Sequence, residues 1–331
     1  MRDQREWQAI WYGGKPPGLW LRALAGVYAV LTALRRSLYR RGVLRSVRLR
    51  VPVVVVGNIT VGGTGKTPMT IALIAALRAR GFRPGVISRG YGGSARVPQI
   101  VSADADPAQV GDEPVLIARA TGVPVAIGRD RAAAARLLLQ VDGIDLVIAD
   151  DGLQHYKLCS NVEICVIDGE RRSGNGRLLP AGPLREPGAR LESVDFRVCN
   201  GGVRQSGEYP MRLIGDLAVA LLDETRKQPL HAFTGRRVHA VAAIGNPQRF
   251  FMQLCAAGID VVEHTFADHH AFAASDLQFA DDLPVLMTEK DAVKCRAFAN
   301  PQHWYVPVRA ELPPAFFDAV AARLGNIQCP R

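Results

Sequence analysis

Residues 60–67 carry glycines, a lysine and a threonine in the order that triphosphate binding requires. The surrounding stretch, from Val51 to Thr67, reads VPVVVVGNITVGGTGKT. Small residues let backbone N–H groups approach phosphate oxygens, Lys66 can reach the β- and γ-phosphates, and the Thr67 hydroxyl can bind Mg²⁺. The stretch therefore predicts a nucleoside triphosphate site with Mg²⁺. The residues predicted to line it are Thr60, Val61, Gly62, Gly63, Thr64, Gly65, Lys66 and Thr67.

This loop departs from the pattern G-x-x-x-x-G-K-[ST] at one position, because Thr60 stands where the first glycine is expected. The alternative interpretation is an ordinary glycine-rich turn between a strand and a helix. The context favours phosphate binding, since a β-branched apolar run, Val51–Val56, precedes the loop and helix-forming sequence follows Thr67. A helix beginning there directs its positive end at a bound anion.

Two adjacent carboxylates follow a second apolar run. Asp150 and Asp151 come directly after the predicted buried strand Ile144–Ala149, as in a Walker B element that holds Mg²⁺ directly or through water. The alternative is a polar cap after the strand. The presence of the phosphate-binding loop favours the metal, although the pattern leaves open which aspartate binds it. Gln154 and His155 lie just beyond, where ligands of α/β proteins bind.

A second set of candidate groups combines an aspartate with histidines. Asp112 lies in the sequence GDEP, where it could simply cap a helix. Asp268, His269 and His270 follow a predicted strand that ends at Phe266. Adjacent positions do not normally converge on one metal ion. A histidine paired with a carboxylate could instead act as a general base toward an alcohol.

From residue 51 onward, short apolar runs alternate with helix-forming segments. This rhythm predicts an α/β fold of the P-loop kinase type, with a mainly parallel sheet flanked by helices. A composition shift near 201–209 predicts a domain boundary, and the segment Gly169–Pro187 predicts a long loop beside the nucleotide. The predicted organisation is a membrane-associated segment at 1–50, a nucleotide-binding core at 51–205 and a smaller α/β domain at 206–331 that contributes to the active-site cleft.

The net charge of the 331-residue chain is +10, and it is concentrated at one end. Residues 1–50 carry ten arginines and one lysine against one aspartate and one glutamate, which accounts for nine of the ten charges. A nucleic-acid enzyme more often spreads basic residues over its main domain. The distribution therefore argues against a nucleic-acid partner. The six cysteines include no C-x-x-C pair, which argues against a zinc site and fits a reducing cytosol.

The basic residues follow an apolar stretch, Gly18–Leu34, which only Arg22 interrupts. Its longest uncharged run, Ala23–Leu34, is shorter than the roughly 20 residues that a membrane-spanning helix needs. A secretory signal would place its basic residues before the apolar run. We therefore expect a helix on an anionic membrane surface. The alternative is a helix packed on the protein's own core, with a solvated basic end.

Taken together, these segments resemble the tetraacyldisaccharide 4′-kinases, the lipid A kinases of Gram-negative bacteria. The resemblance runs in order over nearly the whole chain, and that family tolerates a residue other than glycine at the position of Thr60. The matching stretches are GNITVGGTGKTP (Gly57–Pro68), SRGYGG (Ser88–Gly93), GDEP (Gly111–Pro114), DDGLQH (Asp150–His155), NGRLLPAGPLRE (Asn175–Glu186), DHH (Asp268–His270) and TEKDAVK (Thr288–Lys294).

The resemblance implies transfer of the γ-phosphate of ATP to the 4′-hydroxyl of an acylated glucosamine disaccharide 1-phosphate. It implies a peripheral enzyme at the cytoplasmic face of the inner membrane, with Mg²⁺, an anionic membrane surface as a partner and no obligate protein partner. Lys66 would be catalytic, Asp112 and His269 would form the base, with His270 a weaker candidate, and Asp150 or Asp151 would be the Walker B acid. The candidate substrate-binding residues in these motifs are Arg89, Gln154, His155 and Arg185.

Two other classes of phosphate-loop protein compete with this interpretation. Membrane-attached positioning ATPases of the deviant-Walker type have no lipid acceptor and carry a signature lysine before the paired glycines. That position is Val61 here. Translational and signalling GTPases read guanine with the motif N-K-x-D, which is absent, since Thr288–Asp291 reads TEKD.

Overall fold

The structure is a computed structural model that describes residues 4–326, with side chains from Glu6 onward. Residues 1–3, at the start of the predicted N-terminal segment, lie outside the described residues. So do residues 327–331, which end the predicted second domain and include Cys329. The strands are β1 (Val53–Gly57), β2 (Pro84–Ser88), β3 (Gln99–Val101), β4 (Val125–Ile127), β5 (Leu146–Asp150), β6 (Val162–Asp168), β7 (Phe196–Asn200), β8 (Glu208–Ile214), β9 (Leu217–Ala220), β10 (Lys227–Pro229), β11 (Arg237–Ala242), β12 (Asp260–Thr265), β13 (Val285–Thr288), β14 (His303–Val306) and β15 (Arg309–Glu311).

The helices flank these strands and precede them at the N-terminus. They are α1 (Gln4–Trp11), α2 (Leu19–Arg40), α3 (Lys66–Arg78), α4 (Pro107–Val110), α5 (Asp112–Thr121), α6 (Arg131–Leu138), α7 (Pro247–Ala256), α8 (Glu289–Cys295) and α9 (Pro314–Gly325).

The larger sheet has the strand order β15-β8-β7-β6-β1-β5-β2-β4-β3 among the described residues. Within it, β15 and β3 pair antiparallel to their neighbours, and the other pairs are parallel. The valines of β1 are buried on both faces. Val54 and Val56 pack in one core cluster, whereas Val53 and Val55 pack in the other. A strand covered on both sides needs such an unbroken apolar run, which is how the sequence identified it.

Helices cover both faces of this sheet. One cluster contains apolar side chains of α3, α5 and α9, and the opposite cluster contains those of α6 together with Leu49 from the N-terminal segment. Because the faces are covered, the carboxyl ends of β1 and β5 remain as the edge at which side chains can meet a ligand. The predicted α/β fold with a mainly parallel sheet and flanking helices is confirmed.

A smaller sheet follows in the chain, with the order β10-β9-β14-β13-β11-β12 within the part of the chain that the structure describes. Four of its strands, β12, β11, β13 and β14, are parallel. At one edge, β9 pairs antiparallel with β14, and β10 pairs antiparallel with β9. Two separate apolar clusters cover its faces, one around Phe251 and one around Met287. The second α/β unit therefore has its own core.

The larger sheet extends beyond the boundary predicted near residue 205. Both β8 and β15 belong to it, and α9 packs on it, so the chain leaves for the smaller sheet and then returns. The sequence of β8, EYPMRLI, gave no strand signal because Pro210 interrupts it and its burial does not alternate. The division of the chain into domains at 1–50, 51–205 and 206–331 stays a prediction.

One side of the N-terminal segment packs on the larger unit and forms hydrogen bonds with it. Ile10 of α1 is fully buried, and the Nε1 atom of Trp11 donates to the carbonyl of Pro180 at 3.1 Å. Within α2, the hydroxyl of Tyr28 donates to the carbonyl of Arg185 at 3.0 Å, and Ala25 is buried.

The opposite side of α2 is apolar and exposed. The exposed side chains on this face, hereafter the outer face of α2, are Leu19, Trp20, Leu24, Val27, Val30, Leu31 and Leu34. None of the helices in the described residues combines the length and the apolar content needed to cross a bilayer.

Candidate active site

The phosphate-binding loop joins β1 to the first turn of α3. Gly65 precedes that turn with φ of 92°, a left-handed conformation that favours glycine. A Cβ atom at Gly65 would lie 2.6 Å from Nδ2 of Asn200, which donates to the carbonyl of Thr64 at 2.9 Å. The loop is therefore held in place from β7, two strands away from β1 in the sheet, and α3 begins within it at Lys66.

The ammonium group of Lys66 lies close to two polar side chains next to the loop. Its Nζ atom donates to Oδ1 of Asn58 at 3.3 Å and lies 3.6 Å from Oδ1 of Asp151. The side chain is 11% exposed. A cation held at this position is able to neutralise the charge of phosphate oxygens in the loop.

The two aspartates at the end of β5 have opposite electrostatic environments. Asp150 is fully buried and accepts a hydrogen bond from Thr70 at 3.0 Å. Its burial, together with the charges of Glu113 and Asp151, raises its pKa to about 7. Burial also acts to raise the pKa of Asp151, but Lys66 and Arg185 hold that pKa below its ordinary value. Arg185 donates to both carboxylate oxygens of Asp151, at 3.0 and 3.1 Å.

The residues around the loop fit a divalent cation bound together with phosphates. Oδ2 of Asp150 and Oγ1 of Thr64 are buried without a hydrogen-bond partner in the described structure. Carboxylate and hydroxyl oxygens are the ligands that Mg²⁺ prefers. Within residues 4–326, no group of three or more His, Cys, Asp or Glu side chains could hold a metal by itself. A bound cation would therefore share its ligands with a nucleotide.

A buried aspartate and a histidine meet where the two units of the chain face each other. Asp112 is the first residue of α5 and is 4% exposed, and His269 lies in the loop after β12 with φ of 61°. The Nδ1 atom of His269 lies 3.1 Å from both carboxylate oxygens of Asp112. A carboxylate at Nδ1 fixes that proton and leaves Nε2 as the basic atom of the ring.

The electrostatics of this pair support a base. Burial lowers the pKa of His269, but the hydrogen bond to Asp112 and the charges of Asp112 and Asp268 together outweigh it, so the pKa lies above its ordinary value. Burial raises the pKa of Asp112, but the hydrogen bond from His269 and the charge of Lys290 hold that pKa below its ordinary value. Tyr91 packs on the histidine ring with a centroid separation of 4.7 Å. An open cavity of about 210 Å³ adjoins the pair.

The comparisons with known proteins agree with this geometry. The sequence model of the family described as LpxK, tetraacyldisaccharide-1-P 4′-kinase, matches residues 18–325. The chain belongs to this family. Among its relatives, the tetraacyldisaccharide 4′-kinase of Stenotrophomonas maltophilia is 55% identical over 328 residues, which cover 96% of each chain. That of Xanthomonas euvesicatoria pv. vesicatoria is 54% identical over 330 residues, covering 96% of this chain and 95% of the relative.

A solved structure is similar over most of the chain. The crystal structure of an "apo" form of LpxK from Aquifex aeolicus in complex with ATP superposes with a TM-score of 0.76. Its sequence is 27% identical, and the match covers 91% of this chain and 98% of that one.

Within this tetraacyldisaccharide-1-P 4′-kinase family member, the structure brings most of the predicted site residues together. Loop residues 60–64 line one small pocket, Lys66 lies 3.6 Å from Asp151, and Asp112 lies 3.1 Å from Nδ1 of His269. His270 lies apart from Asp112, because its Nε2 atom pairs with Asp276 at 3.0 Å and its ring stacks on Phe266. Of the two histidines, His269 alone adjoins the carboxylate.

The four candidate substrate residues differ in their surroundings. Arg185 is paired with Asp151, and Gln154 donates to the carbonyl of Asn58 at 3.0 Å and to Glu186 at 2.9 Å. Both are thus neighbours of the phosphate-binding loop. Burial and the charges of Arg131 and Arg89 lower the pKa of His155 to about 4, so it is neutral at pH 7. Arg89 is exposed.

Several polar residues of the site were missed by the sequence interpretation. Asn58 and Glu186 lie inside quoted motifs, but only the fold shows that both contact Gln154. Lys290 lies in the quoted motif TEKDAVK, and its Nζ atom reaches Glu113 at 3.0 Å from the other unit of the chain. In the sequence, these residues could be recognised only as polar or charged positions within a motif. That signal does not show which side chain each of them contacts.

The smaller unit also contacts the phosphate-binding loop directly. A Cβ atom at Gly245 would lie 2.6 Å from the backbone nitrogen of Gly63. Arg171 links to the same place, because its guanidinium donates to the carbonyl of Gly245 at 3.3 Å and to Oδ1 of Asn246 at 2.8 Å. The turn between β11 and α7 therefore covers one side of the loop.

Proposed function

We propose that this protein transfers the γ-phosphoryl group of ATP to the 4′-hydroxyl of a tetraacylated glucosamine disaccharide 1-phosphate. Membership of the tetraacyldisaccharide-1-P 4′-kinase family supports this assignment. The observation that carries it is the Asp112–His269 pair in a chain that also holds a phosphate-binding loop with Lys66 3.6 Å from Asp151. ATP hydrolysis alone would not need a base for an alcohol, whereas transfer to a sugar hydroxyl does.

In the proposed reaction, the loop residues 60–67 bind the phosphates through their backbone N–H groups. Lys66 balances charge on the β- and γ-phosphates. Nε2 of His269 accepts the proton of the 4′-hydroxyl, and the sugar oxygen forms a bond to the γ-phosphorus. The bond from that phosphorus to the bridging oxygen breaks, and ADP leaves. Asp112 orients the ring and stabilises the imidazolium that forms.

Thr67, Asp150 and Asp151 are the residues proposed to hold Mg²⁺ with the nucleotide. The cation would supply charge neutralisation for the phosphate oxygens. Asp150 is the stronger candidate of the two carboxylates, because Oδ2 has no hydrogen-bond partner in the described residues, whereas Arg185 already engages both oxygens of Asp151.

We assign the acceptor to the side of the site that Arg89, Gln154, His155 and Arg185 border. Arg89 is exposed and cationic, which suits an anionic lipid. His155 is neutral at pH 7, and it is therefore suited to hydrogen bonding rather than to charge pairing. Because His269 belongs to the smaller unit and the loop to the larger one, closure of the two units around both substrates would assemble the site.

The outer face of α2 is the proposed membrane-binding surface. It combines exposed apolar side chains, such as Trp20, which is 84% exposed, with the arginines of residues 35–50. Such a helix lies in the interface of an anionic bilayer without crossing it. The protein would thus be peripheral at the cytoplasmic face of the inner membrane, where it needs neither nucleic acid nor an obligate protein partner.

The decisive assay mixes purified protein with γ-labelled ATP and a disaccharide 1-phosphate lipid in detergent micelles, with and without Mg²⁺. We expect labelled glycolipid only when Mg²⁺, ATP and the acceptor are all present. A deviant-Walker ATPase would release labelled phosphate at the same rate without the lipid and would form no labelled glycolipid. That result would overturn the proposed function.

A further inference from the structure

The first turn of α8 directs a lysine from the smaller unit to the base. The Nζ atom of Lys290 lies 3.4 Å from Nε2 of His269, which is the ring atom that Asp112 leaves free. The same Nζ atom donates to Oε1 of Glu113 at 3.0 Å, and Glu113 belongs to α5 of the larger unit. Lys290 thus touches the base and bridges the two units.

The ammonium of Lys290 lies near three carboxylates, those of Glu113, Asp268 and Asp112. Its distance is 3.6 Å to Oδ1 of Asp268 and 4.0 Å to Oδ2 of Asp112. Burial acts to lower the pKa of Lys290, but the charges of Glu113, Asp112 and Asp268 outweigh it and raise that pKa. The group is therefore a permanent cation at neutral pH.

We propose that Lys290 is a positioning residue for the kinase reaction, which holds Nε2 of His269 as an open proton acceptor until the sugar hydroxyl displaces its ammonium group. The inference rests on the proposed function of His269 as the base. Lys290 does not accept the proton itself; it acts through the ring. On displacement, Glu113 keeps one hydrogen bond to Lys290, so the ammonium has a partner in both states.

Charges of both signs surround the imidazole ring of His269. The titratable and charged groups facing it from α5, α8, its own loop and the loop after β2 are Asp112, Glu113, Lys290, Lys294, Asp268 and Tyr91. The carboxylates favour the imidazolium, which cannot accept a proton, and Lys290 opposes them directly at Nε2. Lys294 lies 3.8 Å from Asp112 and pairs more closely with Asp291, at 2.8 Å.

The test compares Lys290→Met with Lys290→Arg, which keeps the charge, and with Lys227→Met as a matched control. Lys227 is an exposed lysine of β10 in the same unit. Two quantities are measured in each folded variant. One is the pH dependence of kcat/KM, and the other is the NMR titration of the His269 ring, identified by its loss in His269→Gln.

We expect Lys290→Met to move both the acid limb of kcat/KM and the ring titration of His269 upward by about one pH unit or more, the lower range for loss of a nearby charge. Lys290→Arg should move both by less, and Lys227→Met should move neither. A uniform loss of rate with an unmoved titration would reduce Lys290 to a structural role and overturn the inference.

The two readouts separate this inference from the proposed function. If the wild-type protein phosphorylates no lipid, the proposed function fails, while the NMR titration still decides whether Lys290 controls the ring. If Lys290→Met does not fold, the same measurement is made on Lys290→Gln, which keeps a hydrogen-bond donor toward Glu113 without the charge. An unmoved ring titration in that variant would equally overturn the inference.

Discussion

Two adjacent carboxylates, Asp150 and Asp151, differ in the direction of their pKa shifts because their neighbours differ. Asp150 is buried beside Glu113, and its pKa is raised to about 7, whereas Lys66 and Arg185 keep Asp151 ionised. Two titratable groups whose pKa values are driven apart have distinct tasks. At the residue scale, the site is therefore defined by charge partners as much as by residue types.

Replacing Lys66 by alanine should reduce phosphoryl transfer to less than about a tenth of the wild-type rate, because the cation over the phosphates is lost. The melting temperature should change little, since Arg185 still pairs with Asp151 when the lysine is removed. Lys157→Ala is the matched control, since that lysine forms an exposed ion pair with Asp130 at 2.5 Å, away from the loop. Retention of more than a tenth of the rate by Lys66→Ala would contradict its assigned role.

Asp112→Asn and His269→Gln should each lower kcat by about 10²–10⁴, the usual contribution of a general base. Because the two residues act as one unit, the double variant should be no slower than the slower single variant. His270→Gln is the control, since that ring pairs with Asp276 instead. Losses that multiply in the double variant would show that Asp112 and His269 act separately.

The rate should also depend on pH through His269. The base must be neutral, and its pKa lies above the ordinary value of about 6.5, so kcat/KM should rise with pH through an ionisation above 6.5. Removing the carboxylate in Asp112→Asn should move that ionisation to lower pH. The same pair stabilises the fold most below the ordinary histidine pKa, and this contribution is lost as pH rises through the raised value. An acid limb unmoved by Asp112→Asn would refute the pairing.

Much of the site at this scale could be predicted from the sequence, because its residues lie in short contiguous motifs. Lys66 and Asp150 follow strand signals directly, and His269 was chosen through the family resemblance. Lys290 could not be assigned, because its role depends on Glu113 and His269, which are distant in sequence and meet only in the fold.

At the scale of elements, α2 has two faces with different partners. Tyr28 and Ala25 pack toward the larger unit, and the outer face of α2 remains uncovered. The sequence interpretation left open a membrane helix or a helix packed on the core. The described structure has features of both, because one side is packed while the other carries exposed leucine, valine and tryptophan.

The double substitution Val27→Glu and Leu31→Glu should weaken binding to vesicles containing anionic phospholipid by at least about tenfold, because each apolar side chain contributes roughly 1.5–3 kcal/mol on burial. The matched control is Val97→Glu with Val203→Glu, two exposed valines outside the helix. Vesicle flotation measures the bound fraction. Equal losses in the two double variants would show that added charge, and not the outer face, determines binding. Removing residues 1–50 is a poorer test, because Ile10 and Leu49 belong to the core.

Elements with continuous apolar runs, such as β1 and β5, were predicted within a few residues of their bounds. Several elements without such runs were missed. For example, β3 and β15 are short edge strands with partly exposed residues, and α8 carries four charged or polar residues in its sequence EKDAVKC. The spacing of apolar residues in a sequence reflects which faces of an element are buried. Strands at the edge of a sheet bury little surface, so their sequences show no clear apolar pattern.

At the scale of the whole molecule, the two units meet at the site. The turn containing Gly245 lies against the phosphate-binding loop, and Lys290 reaches Glu113 across the same cleft. The return of β15 and α9 to the larger sheet could not be predicted, because that pairing joins segments about a hundred residues apart and depends on the intervening unit. The local sequence of such a strand therefore does not distinguish it from a loop.

Gly245→Val should separate the units at the phosphate-binding loop, because even its Cβ atom would lie 2.6 Å from the backbone nitrogen of Gly63. We expect kcat/KM for ATP to fall at least about tenfold, the cost of a small misplacement of reacting groups. Gly325→Ala is the control, since a Cβ atom there meets no neighbour within 4 Å. Unchanged kinetics in a folded Gly245→Val variant would show that this contact is dispensable.

The hydrogen bond from Tyr28 to the Arg185 carbonyl connects two regions that otherwise have separate tasks. The guanidinium group of the same arginine donates hydrogen bonds to Asp151. If the outer face of α2 enters the headgroup region as proposed, a tilt or shift of the helix would be transmitted toward Asp151 through this contact. Binding to the bilayer and alignment of the reactive groups would then be mechanically coupled, which would favour turnover where the glycolipid acceptor resides.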